Sequence, residues 1–235
     1  MKQIDLMIVG AQKAGTTSLK NYLNEHPDIV GHPNTEFAYF SIDDVYRQGY
    51  ETAARKELTV GNIEKAKAVA AKNVAIYYDE KAIKRLKEHN PDCKIVFIVR
   101  NPVDRAYSAY GMEKYNGWLK KDFKEIVDII EKGDRTHFLH KIFAYYGFYD
   151  EHIDLLLKYF PKEQLKVYLF EDLKKNPGRI CKDIFQWLDV DADFQPNTGV
   201  KHNTTQQPRS AVLTKMIWRL RRKEKKEKKV VKMIL

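Results

Sequence analysis

Short apolar runs alternate with amphipathic stretches along most of the chain. Ile4-Asp5-Leu6-Met7-Ile8-Val9 and Lys94-Ile-Val-Phe-Ile-Val99 are continuous enough to predict parallel strands buried on both faces. Gln164–Phe170 predicts a further strand, and Asp28-Ile29-Val30 and Lys72–Tyr78 predict two short ones. Leu19, Tyr22 and Leu23 recur at helical spacing until His26-Pro27. Glu80–His89 and the segment carrying Ile180, Ile184, Trp187 and Leu188 also read as amphipathic helices. Phe138–Phe160 repeats apolar residues at helical spacing and predicts one long helix ended by Pro161. Residues 43–72 are polar and alanine-rich, and they predict helices around Asp43–Glu57 and Ile63–Ala71 that cover the sheet. Strands separated by helices imply an α/β fold with a central parallel sheet.

Composition changes this picture little. The chain has 235 residues, 43% hydrophobic and 31% charged, which is ordinary for one globular core. The net charge of +10 is uneven: Lys215–Leu235 holds ten Lys/Arg and two Glu, so the rest is nearly neutral. The basic tail's charged run Arg219–Lys229 interleaves no aromatics with the charges, and the tail carries no nucleic-acid motif, so no nucleic acid is expected as a partner. It reads as a solvated helix, with peripheral contact to an anionic membrane as the alternative. Cys93 and Cys181 read as core thiols in a reducing compartment. No apolar run of membrane length and no leader pattern is seen, which leads to the expectation of a cytoplasmic protein.

Candidate chemistry is concentrated after the first strand, in Gly10-Ala-Gln-Lys13-Ala14-Gly15-Thr16-Thr17-Ser18-Leu19. Strand, glycine-bounded loop and helix together form a phosphate cradle, in which loop amides and the helix dipole converge on one anion. In a nucleoside-triphosphate loop the lysine follows the second glycine; here Thr16 does, and the lysine is Lys13. The strand ending at Val99 is followed by Arg100, not by a magnesium-binding carboxylate. A P-loop kinase or NTPase and a catalytically inactive nucleotide-binding protein stay open as alternatives.

The loop resembles the 5′-phosphosulfate loop of sulfotransferases that use 3′-phosphoadenosine 5′-phosphosulfate (PAPS). Ile98-Val-Arg100-Asn-Pro102-Val-Asp-Arg105-Ala-Tyr-Ser108 resembles their 3′-phosphate motif. The wording is closest to the heparan-type and bacterial carbohydrate branch. The resemblance implies a P-loop-containing nucleoside triphosphate hydrolase-like fold, with residues 1–210 as the sulfotransferase domain and 211–235 as a basic helix or tail. It also implies PAPS as donor without a metal, and a glycan or small molecule as acceptor.

By that resemblance Lys13, Ala14, Gly15, Thr16, Thr17 and Ser18 hold the 5′-phosphosulfate. Arg100 and Ser108 hold the 3′-phosphate, with Lys201, His202, Asn203 and Arg209 as further contacts from a late loop. Glu36, just before Tyr39-Phe40, takes the place of the general base; the plain alternative is a loop carboxylate capping a helix. His32 is the second candidate base, against a surface loop histidine. Lys72 takes the place of a second catalytic lysine, although Asn73-Val74 stands where relatives have Thr-Pro; the alternative is a solvated lysine at a helix end. Arg105 is expected in a helix-surface ion pair. Trp118 is expected either to stack on a sugar face or to pack in the core.

Overall fold

The computed structural model describes residues 1–199, which form two compact units: 1–102 with 148–199, and 103–147. The first unit is built on a five-stranded sheet. Its strands are β1 (Leu6–Gly10), β2 (Ile29–Val30), β3 (Ala68–Lys72), β4 (Lys94–Val99) and β5 (Leu165–Leu169). They lie in the order β2-β3-β1-β4-β5, and every pairing is parallel. Leu6 of β1 stands between Ala70 and Lys94, and Ile95 of β4 faces Leu165 of β5. β1 is buried along its whole length, as an apolar run in the middle of a parallel sheet should be.

Helices α1 (Thr16–Asn24), α2 (Asp43–Tyr46), α3 (Tyr50–Glu57) and α4 (Glu80–His89) connect β1 to β4. Asp79 caps α4 by accepting from the amides of Lys81 and Ala82. The second unit holds most of α5 (Pro102–Tyr115), then α6 (Phe123–Glu131) and α7 (Phe138–Phe143), around a core of Ala106, Ala109, Leu119, Ile126, Leu139 and Phe143. α6 starts with a reciprocal capping box between Asp122 and Glu125. The first unit resumes with α8 (Tyr149–Leu157), β5, α9 (Phe170–Lys175) and α10 (Pro177–Trp187).

Several elements depart from the sequence reading. Residues 68–71 are strand, not helix, because Ala68–Lys72 fits between β2 and β1, where pairing and burial outweigh alanine's helical preference. The strand ends at Lys72: Asn73 Oδ1 accepts the Ala75 amide at 2.9 Å, and Ile76–Tyr78 is a single 3₁₀ turn. The helix expected over Asp43–Glu57 is broken at Gly49, whose φ of 83° is left-handed. The long helix expected over Phe138–Phe160 is two helices separated by a 3₁₀ turn at Tyr145–Gly147.

Arg105 is not in a surface ion pair. It is fully buried in the second unit, where Nη2 donates to the carbonyls of Ile142 (2.9 Å) and Phe143 (2.8 Å). These carbonyls end α7 and have no partner within that helix, so the guanidinium caps it. Lys201, His202, Asn203, Arg209 and the basic segment 211–235 lie outside the described residues.

Candidate active site

The β1–α1 loop takes its shape from its glycines. A Cβ on Gly10 would overlap the buried ring of Tyr77 and come within 2.8 Å of Phe97. Gly15 has φ 79°, and a Cβ there would lie 3.0 Å from Leu173 and 3.1 Å from Phe170. Lys13, between them, also takes a left-handed φ of 71°. The loop is held to the next strand by the Ala11 amide, which donates to Ile98 O at 2.7 Å.

α1 begins at Thr16 with no side-chain cap and no acidic residue in its first turn. Its leading amides therefore have no acceptor within the helix, and no carboxylate competes for the positive end of the dipole. Thr16 is buried, and Thr17 and Ser18 are half-buried at the same end. This is an anion site in form.

Arg100 follows β4 and meets the loop directly. Its Nη1 donates to the carbonyl of Lys13 at 3.0 Å, and its guanidinium lies 4.7 Å from the ring centroid of Phe170. The Nε of Arg100 and the Oε1 of Gln12 are buried without a hydrogen-bond partner among the described residues. The unpartnered Arg100 Nε–H and the free leading amides of α1 are donors that a polyanionic ligand would satisfy, so these residues fit PAPS. Ser108 lies half-buried on α5, within the second unit.

Lys72 ends β3 next to β1, where its register partner is Ile8 and the Asn73 amide donates to Ile8 O at 3.0 Å. Its Nζ donates to Glu36 Oε1 at 2.6 Å and to Thr35 O at 2.7 Å. The other carboxylate oxygen of Glu36 accepts the Val74 amide at 2.9 Å. The segment after β2 is stitched to the end of β3 twice more: Phe37 N–H donates to Lys72 O, and Asn73 Nδ2 donates to Phe37 O at 2.9 Å. Burial holds Lys72 below the usual lysine range, and the neighbouring Glu36 opposes that shift.

His32 is neither at the surface nor free to act as a base. It is fully buried, and its Nε2 accepts the backbone amide of Lys72 at 3.1 Å. Burial, then the nearby Lys20 and Lys72, lowers it to about 3. It serves as a neutral acceptor beneath the Glu36 segment.

The structure thus brings together Lys13, Ala14, Gly15, Thr16, Thr17, Ser18, Arg100, Lys72 and Glu36 at the carboxyl ends of β1, β3 and β4. That is where open parallel sheets bind ligands. Sequence reasoning missed Lys20, Asn73 and Phe170. Lys20 had a signal: Thr16, Leu19, Lys20 and Leu23 are spaced as one buried helical stripe, and a lysine on such a stripe needs polar partners. Trp118, 43% exposed, packs on Phe138 with ring centroids 5.6 Å apart, and its indole N–H donates to Glu113 Oε2.

Comparison with known proteins agrees with this geometry. The family model described as "Sulfotransferase domain" matches residues 3–233. A sulfotransferase structure from Alicyclobacillus acidocaldarius superposes with a TM-score of 0.73 at 31% identity, covering 86% of this chain and 87% of that one. The human heparan sulfate glucosamine 3-O-sulfotransferase 5 is 30% identical over 68% of this chain and 46% of its own length. The human bifunctional heparan sulfate N-deacetylase/N-sulfotransferase 3 is 28% identical over 78% of this chain. This chain spans 22% of that relative's length. This chain belongs to the PAPS-dependent sulfotransferase family, on a P-loop-like α/β fold.

Proposed function

We propose that this protein transfers the sulfuryl group of PAPS to a hydroxyl or amine of a saccharide. The observation that carries the proposal is the Glu36–Lys72 pair, placed at the end of β3 beside the uncapped phosphate loop of β1. Relatives named for N-sulfation and for glucosamine 3-O-sulfation support a sugar amine or hydroxyl as acceptor.

PAPS, when bound, supplies an activated sulfuryl group between a phosphate leaving group and the acceptor. The residues of this chain do the rest. The amides and hydroxyls of Thr16, Thr17 and Ser18 hold the 5′-phosphate, and Arg100 offers its fork to the 3′-phosphate. Glu36 takes the acceptor proton. Each of its oxygens already receives one donor, and the lone pairs that remain can accept the proton. Lys13 and Lys72 place positive charge where negative charge grows on the departing phosphate. Two buried thiols without a disulfide support a reducing, cytoplasmic setting.

The test has two parts. Calorimetry compares 3′-phosphoadenosine 5′-phosphate with ATP·Mg²⁺. Labelled PAPS is then offered with glucosamine-containing oligosaccharides carrying free amines or free hydroxyls. Tight binding of the bisphosphate and a labelled sugar are expected. Preference for ATP·Mg²⁺ would overturn the donor assignment, and label on neither sugar would overturn the acceptor class.

A further inference from the structure

Lys20 is a charged residue in a core position. It is 4% exposed on the inner stripe of α1, between Leu19 and Leu23. Its ammonium donates to the carbonyls of His32 at 2.9 Å and Asn34 at 3.3 Å. His32 O also accepts from Asn24 Nδ2 at 3.1 Å, one turn further along the same helix. α1 thereby grips the segment that leads from β2 to Glu36. Thr35 and Glu36, the next two residues, are held from the other side by Lys72. Burial and then the Lys72 charge push Lys20 below the usual lysine range, and Glu36 pulls it back, so all three groups share one electrostatic neighbourhood.

Packing alone does not call for a lysine here. An unbranched apolar side chain would fill the stripe. His32 O would keep Asn24, and Asn34 is exposed, so its carbonyl could turn to water. What such a replacement would remove is the link between α1 and the Glu36 segment. α1 is the helix whose first turn, one turn before Lys20, forms the phosphate cradle.

We propose that Lys20 is a positioning residue for sulfuryl transfer, one that ties the Glu36 segment to the helix that carries the phosphate cradle. The inference rests on the sulfuryl-transfer reading above. With donor site and base referenced to one rigid element, the acceptor proton and the donor phosphate keep a fixed separation. An error of about 1 Å in such a separation can cost on the order of 100-fold in rate.

The experiment uses the full chain with Lys20→Met, Lys20→Gln and Lys20→Arg. Amide hydrogen exchange over residues 31–36, without donor or acceptor, reads the hold on the segment independently of activity. Calorimetry with 3′-phosphoadenosine 5′-phosphate reads the cradle, and turnover with PAPS and a saccharide reads the transfer. In Lys20→Met, exchange should speed by about tenfold or more while bisphosphate affinity stays within about twofold, and kcat should fall by about 10- to 100-fold. Lys20→Arg should recover part of kcat, because it restores a cationic donor. If Lys20→Met does not fold, Lys20→Gln, whose amide is too short to reach both carbonyls, takes the same measurements. Wild-type exchange in the folded variants would overturn the proposal, as would equal losses of affinity and kcat. Failure of the wild-type protein to bind the bisphosphate would overturn the sulfotransferase reading instead, and the exchange result would still decide whether Lys20 holds the segment.

Discussion

Lys72 Nζ lies 2.6 Å from Glu36 Oε1, with the lysine side chain 1% exposed and the carboxylate 33% exposed. The pair is therefore one-sided: the cation is sealed beneath the sheet end, and the carboxylate opens outward. Lys72→Met should leave Glu36 Oε1 and the Thr35 carbonyl without their lysine donor, while Glu36 Oε2 keeps the Val74 amide. The cost lies between that of an exposed pair and that of a fully buried one, about 1–3 kcal/mol, read by urea unfolding. kcat should fall by about 100-fold or more in the same variant. Unchanged turnover would remove Lys72 from the mechanism.

Glu36→Gln keeps shape and removes the base. Its amide nitrogen must face either Lys72 Nζ or the Val74 N–H, donors that now share one oxygen acceptor. kcat should drop by about 10²- to 10⁴-fold, with bisphosphate affinity unchanged. Activity within a few-fold of wild type would show that another group accepts the proton.

Arg100 is predicted to govern donor affinity. Arg100→Ala should weaken 3′-phosphoadenosine 5′-phosphate binding by about 10- to 100-fold in calorimetry. Arg100→Lys should recover little of it, since an ammonium cannot both bond the Lys13 carbonyl as this planar fork does and stack on Phe170. Full affinity in Arg100→Ala would place the 3′-phosphate elsewhere.

Gly10→Ala should destabilise the protein. The added methyl meets the Tyr77 and Phe97 rings, both fully buried and unable to withdraw to solvent. Overpacking of this kind costs about 1–3 kcal/mol. A urea midpoint equal to wild type would show that the rings can yield.

His32 makes stability fall on acidification. Its folded value is about 3 against an ordinary 6.5. Below pH 6.5 the unfolded chain takes up a proton that the fold refuses. The stabilisation is complete above 6.5 and is lost as the pH falls toward 3. The steepest slope from this one site is about 1.4 kcal/mol per pH unit. Urea unfolding at pH 7, 6 and 5 should show the loss, and His32→Gln should flatten it while lowering stability at pH 7. An equal slope in both proteins would assign it to other groups.

The sheet and the phosphate loop were largely legible because their signals are local. β1 and β4 carry unbroken apolar runs, and the glycines at 10 and 15 bracket a lysine just ahead of a row of hydroxyls. β3 was not legible, since Ala68–Ala71 has helical propensity and becomes strand only through neighbours that sequence order does not reveal. The same holds for Arg105, whose partners are carbonyls at the end of a helix more than thirty residues away. Glu36 could be picked out only through the family resemblance, by its position before Tyr39-Phe40. Its anchors Val74 and Asn73 could not, because they act through a backbone amide and a loop contact. Tertiary pairing, not composition, decides each of these.

The pairing of β4 with β5 also governs how the chain can be made. Ile95 meets Leu165, yet the whole 103–147 unit, with a core of its own, is synthesised between them. At about 5–20 residues per second the ribosome needs roughly 3–13 s to cover that interval. Throughout it the Lys94–Val99 strand, apolar and β-branched, has an open edge able to recruit another chain. Chains truncated before residue 165 carry that edge permanently. The nascent chain therefore presents an apolar edge that the finished fold covers with β5.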